Sequence, residues 1–338
     1  MIHNIVAPSI LNDPGLLTSR AGHFRRLERL FTEGGCDTPF LLNGFSGQGK
    51  ADPYLEPELW VDQALEDLTG KISALADQRV FRPAVIEFGP WGVHFIDRIF
   101  GARVYHPEGG WWVNHLQSPI GELPVPDLDQ SDTWQLAVRL ANAFVAAEVS
   151  VPLFGLPTIG NALNIAMNLY GEQLLMEMYE RPAAVHRDLR IINDVLCCLH
   201  RWYLEHLPLQ QLQPVVAGWR TQPPGFGQIC GCSTHLLSPE SYAEFVAPLD
   251  DELLCVYPHG GMIHLCGAHL QHLPTWKAMK GLRSVQLNDR AADDLPKYLQ
   301  GLRADQVIYL NPTAETTCKK AYQMTDGKRI VFVADTLN

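Results

Sequence analysis

The sequence predicts a single α/β domain built as a (β/α)8 TIM barrel. Eight short apolar segments rich in β-forming residues alternate with longer segments of helical period, and strand segments such as VIYL and IVFV are apolar throughout. Strands without polar alternation are typical of a parallel sheet that is covered on both faces, and eight strand–helix alternations match the barrel. A doubly wound sheet is disfavoured because no Gly-x-Gly-x-x-Gly turn follows the first strand.

The predicted elements follow one another along the whole chain. The strand segments are Phe40–Gly44, Ala84–Gly89, Val151–Gly155, Val215–Cys230, Met262–Gly267, Ser284–Asn288, Val307–Asn311 and Ile330–Val333. Apolar residues that recur with the helical period predict helices near residues 57–78, 132–148, 161–179, 182–206, 238–256, 269–279, 291–302 and 313–324. We therefore expect one barrel domain that spans residues 1–338.

Two segments extend beyond this alternation. Residues 1–37 precede the first strand and predict a helical N-terminal extension. Residues 96–129 form a long insert after the second strand that carries Trp112 and several Pro and Gly residues. Long connections of this kind in compact domains are usually lids or binding loops. We expect a lid, with an arm that packs against a partner subunit as the alternative.

Composition excludes several classes of protein. Of 338 residues, 26 are Lys or Arg and 37 are Asp or Glu, which gives a net charge of −11 and disfavours binding to nucleic acid. A hydrophobic share of 46% with only 19% charged residues supports a large core and excludes disorder. No apolar run approaches the ~20 residues of a membrane span, and the N-terminus lacks the order of a secretory signal. We expect a soluble cytoplasmic protein with reduced cysteines.

The segment Gly260–Gly267 (GGMIHLCG) carries the pattern most closely tied to chemistry. Residues two apart in a strand point to the same side, so His264 and Cys266 project together at the carboxyl end, where barrel active sites lie. Cys230 and Cys232 have the same spacing at the end of the preceding strand. Imidazole nitrogen and thiolate sulfur are ligands that zinc prefers. The two pairs predict a zinc site if the strand ends are neighbours.

The same residues have a purely structural interpretation. A His-x-Cys pair also occurs as a buried, hydrogen-bonded histidine beside a structural cysteine. Three protein ligands with an open position are typical of catalytic zinc, whereas four close the site, and the sequence leaves both open. Cys318, at the start of a later helix, is a reserve ligand.

Further candidates lie at other strand ends. Glu87 ends the second strand, where an unpaired carboxylate in an apolar strand would be costly, and Asp289 follows the sixth, where it could orient a ligand histidine. We expect catalytic roles for both, with helix capping or turn formation as the alternative. The candidates for substrate binding are Trp91, Trp112, Trp219 and Asn311. Each tryptophan alone is also typical of a core or a subunit interface.

Three segments resemble the uroporphyrinogen decarboxylase superfamily. Leu236–Pro248 (LLSPESYAEFVAP) and Leu169–His186 (LYGEQLLMEMYERPAAVH) are similar to its barrel helices. Ile263–Gly267 (IHLCG) resembles the zinc motif of its methylcobamide:thiol methyltransferase branch. The likeness covers approximately residues 130–335, and residues 1–80 match poorly. The arginine-rich N-terminal motif of the true decarboxylases is absent, which disfavours a porphyrinogen substrate.

The resemblance implies a zinc-dependent methyltransferase that moves a methyl group between a corrinoid and a thiol, with a corrinoid carrier protein as partner. Separately, the aromatic residues between positions 91 and 112 favour a homodimer. The branch takes its last zinc ligand from a Gly-Cys-Gly turn after the final strand, but here that strand reads IVFVAD, ending at Asp335. Cys230 or Cys232 could replace that ligand, Cys318 or Asp335 could complete the site, or no zinc binds. A cofactor-free decarboxylase or lyase that uses Glu87, Asp289 and Arg220, and a non-catalytic corrinoid- or tetrapyrrole-binding barrel, are the alternatives.

Overall fold

The β-strands of the computed structural model, which describes residues 9–107, 109–157, 159–213 and 218–337, are short and mostly parallel. In chain order they are β1 (Phe40–Leu42), β2 (Phe45–Ser46), β3 (Val80–Phe81), β4 (Ala84–Glu87), β5 (Val104–Tyr105), β6 (Trp112–Val113), β7 (Leu153–Gly155), β8 (Leu212–Gln213), β9 (Gly227–Cys230), β10 (Gly261–Cys266), β11 (Leu282–Asn288), β12 (Val307–Leu310) and β13 (Ile330–Phe332). Helices connect most of them.

Those helices differ widely in length. They are α1 (Pro14–Thr32), α2 (Pro57–Thr69), α3 (Phe95–Ile99), α4 (Asp132–Ala146), α5 (Ala162–Tyr170), α6 (Gln173–Glu180), α7 (Pro182–His206), α8 (Pro239–Ser241), α9 (Ala247–Leu254), α10 (Leu273–Ala278), α11 (Arg290–Asp293), α12 (Leu295–Gly301) and α13 (Cys318–Thr325). Local chemistry sets several starts: the Asp13 side chain caps α1 by accepting from the Leu16 amide, and Ser131 caps α4 in the same way. Within the described residues, no helix is both long and apolar enough to span a bilayer.

Two parallel sheets form the framework. The larger has the order β3-β1-β13-β12-β11-β10-β9 and the smaller β2-β4-β7-β8. Because β1 precedes β2, and β3 precedes β4, by only a few residues, two chain segments run from one sheet into the other. On the opposite side, a single bridge joins Gly160, after β7, to Cys230 in β9. These parallel sheets confirm the predicted α/β fold. The strand pairing of the described residues does not complete a ring, so the closed barrel stays a prediction.

The apolar core has an inner and an outer layer. The inner cluster combines Val85 and Leu153 of the smaller sheet with Phe40, Met262 and residues of β12 and β13 from the larger sheet. A single apolar interior therefore lies between the two sheets. The outer cluster contains the larger number of buried side chains and packs the helices against the strands.

Helix α1 covers one end of the inner cluster. Its side chains Phe24, Leu27, Leu30 and Phe31 are buried in that cluster. The predicted N-terminal extension of residues 1–37 is therefore helical over Pro14–Thr32 and is part of the core, whereas residues 1–8 lie outside the described part.

The insert at residues 96–129 is more ordered than a simple loop. It contains the end of α3 and the antiparallel hairpin of β5 and β6. Beyond the hairpin, the Gly121 and Leu123 amides donate to the carboxylate of Asp188 in α7, and the Leu116 amide donates to the Leu169 carbonyl of α5. These bonds hold the second half of the insert against the helices, and its role as a lid stays a prediction.

Some element boundaries differ from the predictions for local reasons. The fourth predicted strand, Val215–Cys230, is a strand only over Gly227–Cys230, after a 3₁₀ turn at Gly218–Arg220, and residues 214–217 lie outside the described part. The predicted helix at 161–179 is divided because Gly171, with a φ of 69°, ends α5.

Candidate metal centre and its cavity

Two cysteines and one histidine converge at the carboxyl ends of β9 and β10. One ligand atom from each of Cys232, His264 and Cys266 lies within 4.8 Å of the others. The Nε2 atom of His264 is 3.2 Å from the Cys266 sulfur. His264 is buried, and the two cysteines are half-buried. The structure thus brings together three soft donor atoms from two neighbouring strands.

The local chain path explains this convergence. Parallel pairing of β9 and β10 places His264 opposite Cys230. The Gly231 amide then donates to the His264 carbonyl at 3.0 Å, and the chain enters the 3₁₀ turn Cys232–Leu236. A side chain at Gly231 would place its Cβ 2.8 Å from the Ile263 side chain. The glycine therefore allows the turn to pass close to β10 and bring Cys232 over its end.

A hydrogen-bond chain orients the His264 ring. Its Nδ1 lies 2.7 Å from Oε1 of Gln286, which is opposite it on β11. The Gln286 amide donates in turn to Oδ1 of Asn311 at 2.6 Å. Because Oε1 is an acceptor, Nδ1 carries the hydrogen and Nε2 presents its lone pair to the sulfurs. An oriented imidazole of this kind is the usual state of a metal-ligating histidine.

Electrostatics favours a thiolate at Cys266. Hydrogen bonding from the Cys232 thiol lowers the pKa of Cys266, while the same contact raises the pKa of Cys232. The Asn288 amide also points at the Cys266 sulfur, at 3.7 Å. A thiolate is the form of cysteine that binds metals and acts as a nucleophile. Cys266 is thus the sulfur best prepared for either role.

The three residues that carry the donor atoms line a cavity of about 460 Å³. Its described lining is Val93, Gly160, Asn164, Ile165, Asn168, Trp219, Arg220, Cys230, Cys232, Ser233, His264 and Cys266. Trp219 is 44% exposed, so it lies at the mouth. A volume of this size suits a small molecule.

Cys230 lies in the same cavity but outside the three-residue cluster. Its side chain is buried, and burial raises the pKa of its thiol, an effect that the nearby Arg220 guanidinium opposes. The Arg220 Nη1 atom is 3.9 Å from the Cys230 sulfur. The structure therefore separates the two cysteines of the ICGCS segment, with Cys232 among the donors and Cys230 beside a cation.

The cluster could hold a metal ion, and its donor atoms suit zinc. Two sulfurs and one imidazole nitrogen are the donor types zinc prefers, and tetrahedral zinc separates such ligand atoms by roughly 3.5–3.8 Å. All three atoms lie within 4.8 Å of one another, so small side-chain adjustments bring them to that spacing. Three ligands beside a cavity are typical of catalytic rather than structural zinc.

The remaining polar candidates lie at separate points. Glu87 accepts a hydrogen bond from Ser46 at 2.5 Å, and Asp289, with a φ of 48°, accepts one from the Asn288 amide at 3.1 Å. Asn311 reaches the site indirectly, through Gln286. None of these three belongs to the described lining of the cavity. Cys318 is buried in the outer core at the start of α13 and is not part of the donor cluster among the described residues.

The three tryptophans have different surroundings. Trp219 lines the cavity. Trp91 packs edge-on against Tyr54 and under the Arg98 guanidinium, outside the described lining. Trp112 is 59% exposed in the β5–β6 hairpin. Of these three, only Trp219 lies where a molecule bound in the cavity would contact it.

Sequence reasoning missed several residues of the site. Gln286 orients His264, and Asn164 and Asn168 line the cavity from α5. A signal for Gln286 existed, since an amide between the apolar residues Val285 and Leu287 of β11 needs a buried partner. The two asparagines have no such signal, because amides are common on helix surfaces.

Comparison with known proteins supports the fold. No protein-family model matches the chain, and no curated protein matches it in sequence. A solved structure of a methyltransferase from Methanosarcina mazei is similar, with a TM-score of 0.64 over 94% of each chain and 12% sequence identity. At this identity the likeness establishes a shared fold and no more.

Proposed function

We propose that this protein is a zinc-dependent methyltransferase that transfers a methyl group between a corrinoid and a small thiol. The observation that carries the proposal is the cluster of Cys232, His264 and Cys266 at the edge of a cavity. The similar fold of the Methanosarcina mazei methyltransferase and the resemblance of the IHLCG segment add support. The closed barrel predicted from the sequence belongs to the same proposal.

The residues of the chain divide the work as follows. Cys232, His264 and Cys266 would hold zinc, which when bound keeps a substrate thiol deprotonated near neutral pH. Gln286 fixes the ring of His264. The cavity then holds the thiol in place, and such positioning removes much of the entropic cost of the reaction. The catalytic roles of Glu87 and Asp289 stay predictions, because neither residue belongs to the described lining of the cavity. Asn311 acts on the site through Gln286.

We propose the binding partners of this protein from the volume of the cavity. The cavity of about 460 Å³ suits the thiol, so the corrinoid is delivered at the mouth by a carrier protein, beside Trp219. Trp91 and Trp112 are outside the described lining of the cavity, and the exposed hairpin that carries Trp112 is the surface we assign to a homodimer. We place the protein in the cytoplasm.

Loss of methylcobalamin absorbance in the presence of zinc-loaded protein and 2-mercaptoethanol tests this function. We expect turnover by the natural protein and by Cys318→Ala, which changes a cysteine outside the cluster. We expect none by Cys266→Ala. Full activity after zinc has been removed by a chelator would contradict the proposal.

Arg220 favours a second candidate, a cofactor-free carboxy-lyase. It is a cationic residue in the described lining of the cavity, where it could hold a substrate carboxylate. In that case carbon dioxide release from a carboxylate substrate would survive chelation and be lost in Arg220→Ala. A protein that retains a corrinoid without turnover would instead be a binding barrel.

A further inference from the structure

A buried hydrogen-bond network connects the two cysteine-bearing ends of β9 and β10. His269 is fully buried, and its Nε2 lies 2.8 Å from the Cys266 carbonyl oxygen. Its Nδ1 lies 3.0 Å from the hydroxyl of Thr234, which is buried in the turn that Cys232 begins. The Thr234 hydroxyl is also 2.8 Å from the Gly231 carbonyl oxygen. One imidazole thus joins both cysteine-bearing segments.

The atoms involved fix the direction of these bonds. A carbonyl oxygen only accepts, so the Nε2–H of His269 donates to Cys266. Nδ1 of a neutral imidazole is then an acceptor, and the single hydrogen of the Thr234 hydroxyl lies between this nitrogen and the Gly231 carbonyl oxygen. A second imidazole, of His272, adds a contact at 2.8 Å between its Nε2 and the Thr234 carbonyl oxygen. The Cys232 turn is therefore held by two histidines of the segment that follows β10.

The sheet itself does not set the spacing of the two sulfurs. Pairing between β9 and β10 ends at Cys230 opposite His264, so Cys232 and Cys266 both lie beyond that ladder. Cys266 is still paired with Asn288 on β11, which fixes one sulfur. Cys232 has no such strand neighbour in the described ladders. Its position depends on its turn, and therefore on the contacts of Thr234.

We propose that His269 and Thr234 are positioning residues that set the distance between the Cys232 and Cys266 sulfurs and so the affinity of the site for a divalent metal ion. Neither residue is among the three donors; both act through the backbone of the cysteine segments. This inference rests on the proposed zinc site. Loss of either residue should lower metal affinity by about 10–100-fold, as loss of other groups that orient metal ligands does.

Competition between the protein and a chromophoric chelator for zinc tests the proposal, with cobalt absorption as a second readout. Thr234→Val removes the hydroxyl and should weaken zinc binding by about 10–100-fold, with a weaker thiolate-to-cobalt charge-transfer band. Thr234→Ser keeps the hydroxyl and should have the zinc affinity and the cobalt charge-transfer band of the natural protein. Thr325→Val is the matched control, because the Thr325 hydroxyl is bound to the Ala321 carbonyl within α13; it should leave both unchanged.

The outcomes separate this inference from the function on which it rests. Wild-type zinc affinity in Thr234→Val overturns the inference and leaves the zinc site intact. A natural protein that binds no zinc overturns both. If Thr234→Val fails to fold, Thr234→Ala replaces it, since it removes the hydroxyl without adding bulk, and wild-type affinity in that variant is equally decisive.

Discussion

The Nε2 atom of His264 lies 3.2 Å from the Cys266 sulfur, on the same side of strand β10. Alternate residues of one strand thereby supply two of the three atoms that could hold a metal ion, and the turn after β9 supplies the third, from Cys232. The bond from His264 to Gln286 shows that the ring is already oriented in the folded chain. We therefore expect metal binding to require these three donor atoms and little rearrangement of the backbone.

Replacement of the two neighbouring cysteines should have unequal effects. Cys232 belongs to the donor cluster, whereas Cys230 lies beside Arg220 in the cavity. Cys232→Ala should weaken zinc binding by more than about 100-fold, beyond the effect of losing an orienting group, and Cys230→Ala should weaken it by less than about tenfold. Isothermal titration of both variants with zinc measures this, and equal losses would be inconsistent with the assignment.

Gln286 should control zinc affinity without touching the ion. Gln286→Leu removes the acceptor for Nδ1 of His264, so the ring loses its fixed orientation, and affinity should fall by about 10–100-fold. Gln286→Glu keeps an acceptor oxygen for Nδ1 but loses the donor to Asn311, so its affinity should lie between those of Gln286→Leu and the natural protein. Chelator competition measures both. A natural affinity in Gln286→Leu would show that the bond has no role in metal binding.

The buried carboxyl of Asp250 should make stability depend on pH. Burial raises its pKa from 3.8 to about 7, even though Tyr242 and Asn161 donate to it. Between these values the folded state binds the proton more tightly than the unfolded state, so the stability contributed by this group falls as pH rises.

Asp250→Asn removes that titration. The free energy of unfolding of the natural protein relative to this variant should decrease by about 2 kcal/mol between pH 5 and pH 7. Urea denaturation at several pH values provides the measurement. A difference that stays constant over this range would refute the assignment.

Helix α1 should contribute directly to stability. Leu27 is fully buried in the inner cluster between the two sheets, and Leu27→Ala should lower the free energy of unfolding by about 2–5 kcal/mol through lost burial and a cavity. Leu55→Ala changes a residue that is 73% exposed and should alter it by less than about 0.5 kcal/mol. Similar small effects at both positions would argue against the packing of α1 described above.

The fold could be predicted in large part because apolar runs report burial directly. The segments VIYL and IVFV are the buried strands β12 and β13, and the long helix predicted at 182–206 is α7 (Pro182–His206). Strands such as β8 (Leu212–Gln213) could not be predicted, since two residues carry no periodicity. The sequence predicts the N-terminal helix, but the packing of one face of α1 against the inner cluster depends on contacts distant in sequence.

The candidate site was predictable only at the level of strand ends. The two-residue spacing places His264 and Cys266 on one side of β10. The same spacing favours Cys230 and Cys232 equally as metal ligands. The choice of Cys232 depends on the turn after Gly231, which the strand pattern does not contain. Likewise, the contact of His269 with the Cys266 carbonyl is set by tertiary packing and has no sequence signature.

Anomalous X-ray scattering at the zinc edge, from crystals of the zinc-loaded protein, would show directly whether Cys232, His264 and Cys266 bind the ion. We expect one peak per chain, about 2.3 Å from the sulfurs of Cys232 and Cys266 and about 2.0 Å from Nε2 of His264. A peak at other residues, or no peak although zinc was supplied in excess, would show that these three side chains do not form a zinc site.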